Sequence, residues 1–153
     1  MIIAYFTNTG QTKRFVNKLG LRSHEISIQN PFIELHEPFI LIAPSYEPEV
    51  TDHSVDFLET GDNLSYLKGV IGTGNRNFAD LFCYTAKDIA VEYNSPYLYE
   101  IEFQGTSIDV DNVLKIVKEI EDGSEFLTPY EMGYKNKSKG RYLKGEVEIS
   151  RRK

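Results

Sequence analysis

The run Thr7-Asn8-Thr9-Gly10-Gln11-Thr12 gathers three hydroxyls, an asparagine amide and a conformationally free glycine between an apolar stretch, Ile2-Ile3-Ala4-Tyr5-Phe6, and an amphipathic one, Lys13-Arg14-Phe15-Val16-Asn17-Lys18-Leu19. Donors of this kind at the junction of a buried strand and a helix suit a phosphate. Successive backbone N–H groups converge on one anion there, and the helix N-terminus favours it by ~0.3–1 kcal/mol when exposed and up to ~2 when partly buried. The run has neither the Gly-Lys-Ser/Thr end of a nucleotide-triphosphate loop nor the G-x-G-x-x-G of a dinucleotide turn. Hydroxyls in place of glycines point to a terminal phosphate monoester gripped from several sides. A hydroxyl-rich helix cap is the other reading of the same residues, and it stays open on the loop alone.

Few other residues offer chemistry. His24, His36 and His53 have no metal-ligand spacing, so no metal site is expected. Ser45 lacks a G-x-S-x-G setting, and no hydrolase or transferase site is legible. The single cysteine, Cys83, falls beside Phe82 inside a helical pattern and reads as a packing thiol in mid-helix. No catalytic residue is assigned.

The elements that must position the cradle alternate between strand and helix. Phe15, Val16 and Leu19 space as one helical face, with Gly20 as a stop. A short strand is expected near His24 to Ile28, and Phe39-Ile40-Leu41-Ile42-Ala43 is a continuous apolar run suited to a strand covered on both faces. Residues 44–53, with two prolines, read as a loop, followed by a short helix over 54–59. Gly69 to Gly74 reads as a fourth strand, residues 75–80 as a loop, and Leu81, Phe82, Ala86, Ile89, Ala90 and Tyr93 as one helix. Tyr97 to Phe103 and a helix through Val110, Val113, Leu114, Val117 and Ile120 complete the unit. The alternation predicts an α/β fold, a three-layer sandwich whose five-stranded parallel sheet carries helices on both faces. Ligands bind beyond the carboxyl ends of such strands, so the loops 7–12, 44–53 and 74–80 are expected to converge.

The chain has 153 residues, enough for one domain with its own core. No apolar run approaches the ~18 residues of a membrane span, and together with the absence of a signal pattern and the lone cysteine this gives a cytoplasmic reading with no membrane partner. The net charge of −6 divides into −10 over residues 1–123 and +4 over 124–153. An acidic body argues against nucleic acid as a partner. Residues 1–123 are read as the ligand-binding domain and 124–153 as a basic, mobile C-terminal extension, with a hairpin suggested around Lys144-Gly145.

The cradle, Thr-x-Thr-Gly-x-Thr directly after the first strand, resembles the phosphate loop of flavodoxins, and the resemblance implies a flavodoxin-like sheet of order 2-1-3-4-5. Further pieces narrow the resemblance. They are Arg14-Phe15 behind the cradle, Ile40-Leu41-Ile42 leading into Pro44-Ser45-Tyr46, the run Gly69-Val70-Ile71-Gly72-Thr73-Gly74-Asn75-Arg76-Asn77-Phe78, and Phe103-Gln104-Gly105-Thr106-Ser107 before an Asp109-bearing helix. Over residues 2–121 the chain is similar to the NrdI family, the small flavodoxins associated with class Ib ribonucleotide reductase.

The resemblance implies FMN, with its phosphate on Thr7, Asn8, Thr9, Gly10, Gln11 and Thr12 and its ring between Pro44-Ser45-Tyr46 and the 74–80 loop. There Gly74 would allow close backbone approach, Asn75 or Asn77 would bond the polar edge, Phe78 would stack on one ring face and Tyr46 on the other. It also implies a redox flavoprotein of deoxyribonucleotide synthesis, whose reduced flavin reacts with O2 to supply superoxide for the dimanganese-tyrosyl radical cofactor of the reductase small subunit, with an electron-donating reductase as second partner. The chain departs from the family in Glu47-Pro48-Glu49-Val50, where the second loop is often glycine-rich. Two alternatives stay open: a general flavodoxin electron shuttle, and a flavin-free interaction module that has kept the fold.

Overall fold

The computed structural model describes residues 1–7, 9–45, 48–135, 142 and 144–153. Strands β1 (Ile2–Tyr5), β2 (Ser23–Glu25), β3 (Phe39–Pro44), β4 (Leu67–Gly74) and β5 (Tyr97–Glu102) form one sheet in the order β2-β1-β3-β4-β5, every pairing parallel. Helices α1 (Gln11–Leu19), α2 (Pro48–Leu58), α3 (Asn63–Tyr66), α4 (Tyr84–Glu92) and α5 (Ser107–Glu121) complete the unit. This is the expected flavodoxin-like α/β sandwich.

The two-residue period of a strand divides the core in two. Ile3, Tyr5, Ile40, Ile42, Ile71 and Ile101 turn to one face and meet Phe15, Val16 and Leu19 of α1 and Val113 and Val117 of α5. Ile2, Ala4, Phe39, Leu41 and Val70 turn to the other and meet Phe57 and Leu58 of α2 and Ala86, Ile89 and Ala90 of α4. Both faces of β3 are therefore covered, which explains its unbroken apolar run.

The boundaries depart from expectation where local pattern is weak. β2 ends at Glu25; Ile26 is buried and its N–H still bonds the Tyr5 carbonyl at 2.8 Å, but an edge strand paired on one side needs little length. α2 starts at Pro48, well inside the stretch read as loop, because a first-turn proline lacks only an N–H that the helix does not use there. α3 has no apolar period to announce it, and its Asn63 is a buried staple. The Asn63 amide donates to the Ile33 and Phe57 carbonyls, both at 2.8 Å, and its oxygen accepts from Leu35 N–H at 3.1 Å.

The single helix expected from Leu81 is broken. Arg76–Leu81 is a 3-10 segment, Ala79 adopts φ 49° and ψ −117°, and Cys83 caps α4 from the left-handed region at φ 56°. Cys83 is buried as expected but precedes the helix and does not lie within it. The apolar spacing carried no record of the kink, since Phe82, Ala86 and Ile89 stay buried on either side of it.

The described part of the C-terminal extension, residues 124–135, 142 and 144–153, packs onto the domain. Phe126 pairs antiparallel with Arg152, Val147 enters the core beside α4, and Ser150 donates its N–H to the Tyr97 carbonyl at 2.8 Å while its hydroxyl accepts from Tyr97 N–H at 3.0 Å. Arg152 pairs with Glu119, and Lys153 with Glu125 and Glu131. These bonds occupy the start of the outer strand, whose free edge would otherwise be a template for another chain. Lys144–Glu146 forms a 3-10 turn where a hairpin was suggested. Among the described residues no helix is long and apolar enough to cross a membrane.

Candidate functional site

At the carboxyl ends of β1, β3 and β4 a pocket opens between Thr9, Gln11 and Thr12 of the first loop and helix turn, Pro44 and Ser45, and Gly74, Asn75 and Phe78. The three loops therefore meet. Thr73 and Phe103 also line the pocket, and neither was singled out as a ligand residue from the sequence. Thr73 had a signal in lying one residue before Gly74. Phe103 stood only in the run ahead of α5, and it reaches the rim from a left-handed backbone, φ 54°, just past β5, which no local pattern announced.

The cradle is arranged for an anion. Gly10 takes φ 86°, a left-handed conformation that a side chain would strain, and from there opens α1 without a side-chain cap or an acidic residue in the first turn. The Thr7 hydroxyl is turned inward and accepts from Gly10 N–H at 3.1 Å, so it braces the loop and does not line the pocket. Thr12 is buried, its hydroxyl 3.4 Å from that of Thr73. Ser45 reaches across from β3 and donates to the Thr73 carbonyl at 3.4 Å. All the residues named at the pocket are uncharged, so an anion there would be held by hydroxyls, an amide and the N-terminus of α1.

The opposite wall is aromatic. Phe78 is 62% exposed and Phe103 46%, a poor state for two large apolar rings unless something flat lies against them. Phe78 is held by its N–H bond to the Asn75 carbonyl at 3.1 Å, and the Asn75 side chain accepts from Asn77 N–H at 2.9 Å. Asn77 thus contributes its backbone to the turn, and its side chain is not part of the lining. A Cβ on Gly74 would sit 3.0 Å from Cys83 N, so the bare backbone there is required by the turn behind it. Asn8 and Tyr46, two further expected ligand residues, lie outside the described residues.

Phe103 is shared with a neighbouring groove that contains Arg76, Glu102, Thr106 and Asp109. Thr106 and Asp109 form a reciprocal capping box at the start of α5, and Tyr99 donates to Asp109 at 2.7 Å. Partial burial pushes the Asp109 carboxyl up, but the bonds from Tyr99 and Thr106 outweigh it and hold the group below the ordinary carboxylate value. The histidines are dispersed: His24 stacks on Phe57, His53 faces Phe6, and His36 lies beside Glu34.

An uncapped, acid-free helix N-terminus on one side and exposed rings on the other fit a phosphate ester of a flat heteroaromatic, and the donor set suits FMN. A family model described as NrdI Flavodoxin like matches residues 3–115. The chain belongs to the NrdI family.

Among NrdI relatives, Protein NrdI of Brucella ovis and that of Brucella canis are each 38% identical over 119 residues, covering 73% of this chain and 88% of the relative. The NrdI flavodoxin-like fold is shared with a short-chain flavodoxin associated with a non-canonical PDU bacterial microcompartment, at a TM-score of 0.58 and 16% identity over 79% of this chain and 95% of that one. Membership carries an association with ribonucleotide reductase. The extension from residue 124 lies beyond the NrdI match.

Proposed function

We propose that this NrdI-family chain binds FMN and serves class Ib ribonucleotide reductase as its redox flavoprotein. One observation carries the reading: the uncapped N-terminus of α1 opens into the same pocket as two exposed phenylalanines. Thr9, Gln11 and Thr12, with the first N–H groups of α1, would hold the phosphate. Phe78 would lie against the ring, and the Gly74 and Asn75 backbone would meet its polar edge. Thr7 keeps the cradle in shape, and Ser45 ties the β3 loop to β4. A bound flavin would supply the redox chemistry, one-electron reduction of O2 to superoxide for the dimanganese-tyrosyl cofactor of the small subunit. The protein's residues orient the cofactor and tune its surroundings. An electron-donating reductase would renew the reduced state.

Anaerobic reductive titration of FMN-supplemented protein tests the reading. Oxidised-flavin absorbance should survive desalting and bleach on reduction, and the reduced protein plus O2 should generate the tyrosyl radical signal in manganese-loaded small subunit. Loss of all flavin on desalting would overturn it.

A further inference from the structure

Lys87 lies on α4 among Ala86, Ile89 and Ala90, with only 6% of its side chain exposed. Packing that face calls for an apolar residue, and a buried ammonium is tolerated only when paired. Its Nζ is 3.8 Å from Glu100 Oε1, which also accepts from the Tyr97 hydroxyl at 3.1 Å. The other Glu100 oxygen is 4.0 Å from the Arg76 guanidinium. Arg76 lies 4.4 Å over the Phe82 ring, Lys87 lies 5.7 Å from the same ring, and Arg76 N–H donates to Glu102 at 3.0 Å. Glu100 is thus flanked by two cations, the buried Lys87 and the more exposed Arg76.

These three side chains stand directly behind the turn from Gly74 to Cys83, one wall of the pocket. That turn holds Ala79 and Cys83 at positive φ, conformations that persist only where their surroundings over-determine them. Lys87 N–H bonds the Cys83 carbonyl at 3.1 Å, and Cys83 packs so closely on β4 that a Cβ on Gly72 would come within 2.7 Å of it.

We propose that Lys87 is a positioning residue: paired with Glu100 and through it with Arg76, it latches the Gly74–Cys83 turn in the form that presents Asn75 and Phe78 to the pocket, by giving the Glu100 carboxylate its buried partner. The latch deepens the flavin reading, but its first test needs no flavin. Removing Lys87 alone leaves Glu100 without its buried cation, and removing Glu100 alone leaves the Lys87 ammonium buried without its carboxylate. Removing both orphans neither.

Cys83 is the chain's only cysteine and therefore a specific probe of the latch. Labelling of the full chain with a disulfide reagent such as DTNB should be slow in the wild type and in Lys87→Arg. In Lys87→Met it should be at least about tenfold faster and insensitive to low urea, the mark of local opening, and Lys87→Met/Glu100→Gln should return to within about threefold of wild type. With FMN bound, Lys87→Met should lower the midpoint potential and Glu100→Gln raise it. A tenfold change in the affinity of reduced relative to oxidised flavin is ~30 mV for the two-electron couple. Wild-type labelling in Lys87→Met, urea-sensitive labelling, or a double variant as fast as the single would overturn the latch, as would potential shifts of the same sign. If the wild type retains no FMN while the labelling series behaves as described, the latch stands and the flavin reading falls.

Discussion

The Thr12 hydroxyl in the first turn of α1 lies 3.4 Å from the Thr73 hydroxyl near the end of β4, joining two loops 61 residues apart inside the pocket wall. If Thr12 also meets a phosphate, its loss removes a bond to a charged group, ~1.5–3 kcal/mol, whereas Thr73 contributes a neutral one of ~0.5–1.5 kcal/mol. Thr12→Val is therefore expected to weaken FMN binding about ten- to hundredfold and Thr73→Val about two- to tenfold. Quenching of flavin fluorescence on titration measures both. The reverse order would place the anion against β4.

Phe78 is expected to act on the ligand and not on the fold. Its ring is exposed, so Phe78→Ala should leave the unfolding midpoint nearly unchanged. Stacking adds ~0.5–1.5 kcal/mol beyond burial, so FMN affinity should fall at least about threefold, and Phe78→Trp should keep it. Unchanged affinity in Phe78→Ala would remove this ring from the site.

Asn63 is expected to matter for stability far more than its short helix suggests. Asn63→Ala leaves the Ile33 and Phe57 carbonyls and Leu35 N–H without their partner. An orphaned buried group costs ~1–3 kcal/mol, so the variant should lose about 2–4 kcal/mol in urea unfolding with an unchanged slope. FMN affinity should stay within about twofold of wild type once folded, since none of these contacts reaches the pocket.

Acid should loosen the start of α5. The Asp109 carboxyl has a folded pKa below its unfolded value, so its contribution is fully present above the ordinary carboxylate pKa and is lost as pH falls through the lowered one. Asp109→Asn should destabilise the protein at pH 7 and flatten the fall in stability below about pH 4, which thermal unfolding across pH 3–7 would register. Thr106→Ala, which removes the other half of the box and its bond to the Asp109 carboxylate, should cost about 1 kcal/mol at pH 7 and less as Asp109 protonates. Parallel acid profiles for Asp109→Asn and wild type would show that other carboxylates carry the effect.

What the sequence by itself determined was local and periodic. The apolar runs at Ile2–Tyr5 and Phe39–Ala43, the helical face of Phe15, Val16 and Leu19, and the hydroxyl-rich turn between strand and helix are set by residues within one or two turns of each other. Alternation of such elements is enough to imply a parallel sheet with helices on both faces, and the flavodoxin resemblance implied its order. Tertiary structure alone decided the rest. Phe103 comes to the pocket rim from a left-handed position, φ 54°, just past β5, where its N–H bonds the Gly74 carbonyl at 3.1 Å, and Cys83 leaves the helical path to pack on the bare backbone of Gly72 and Gly74. The last residues bind because Tyr97, on an outer strand, has an N–H and a carbonyl free to meet Ser150. Each of these depends on contacts between residues far apart in the chain, which no short-range period records.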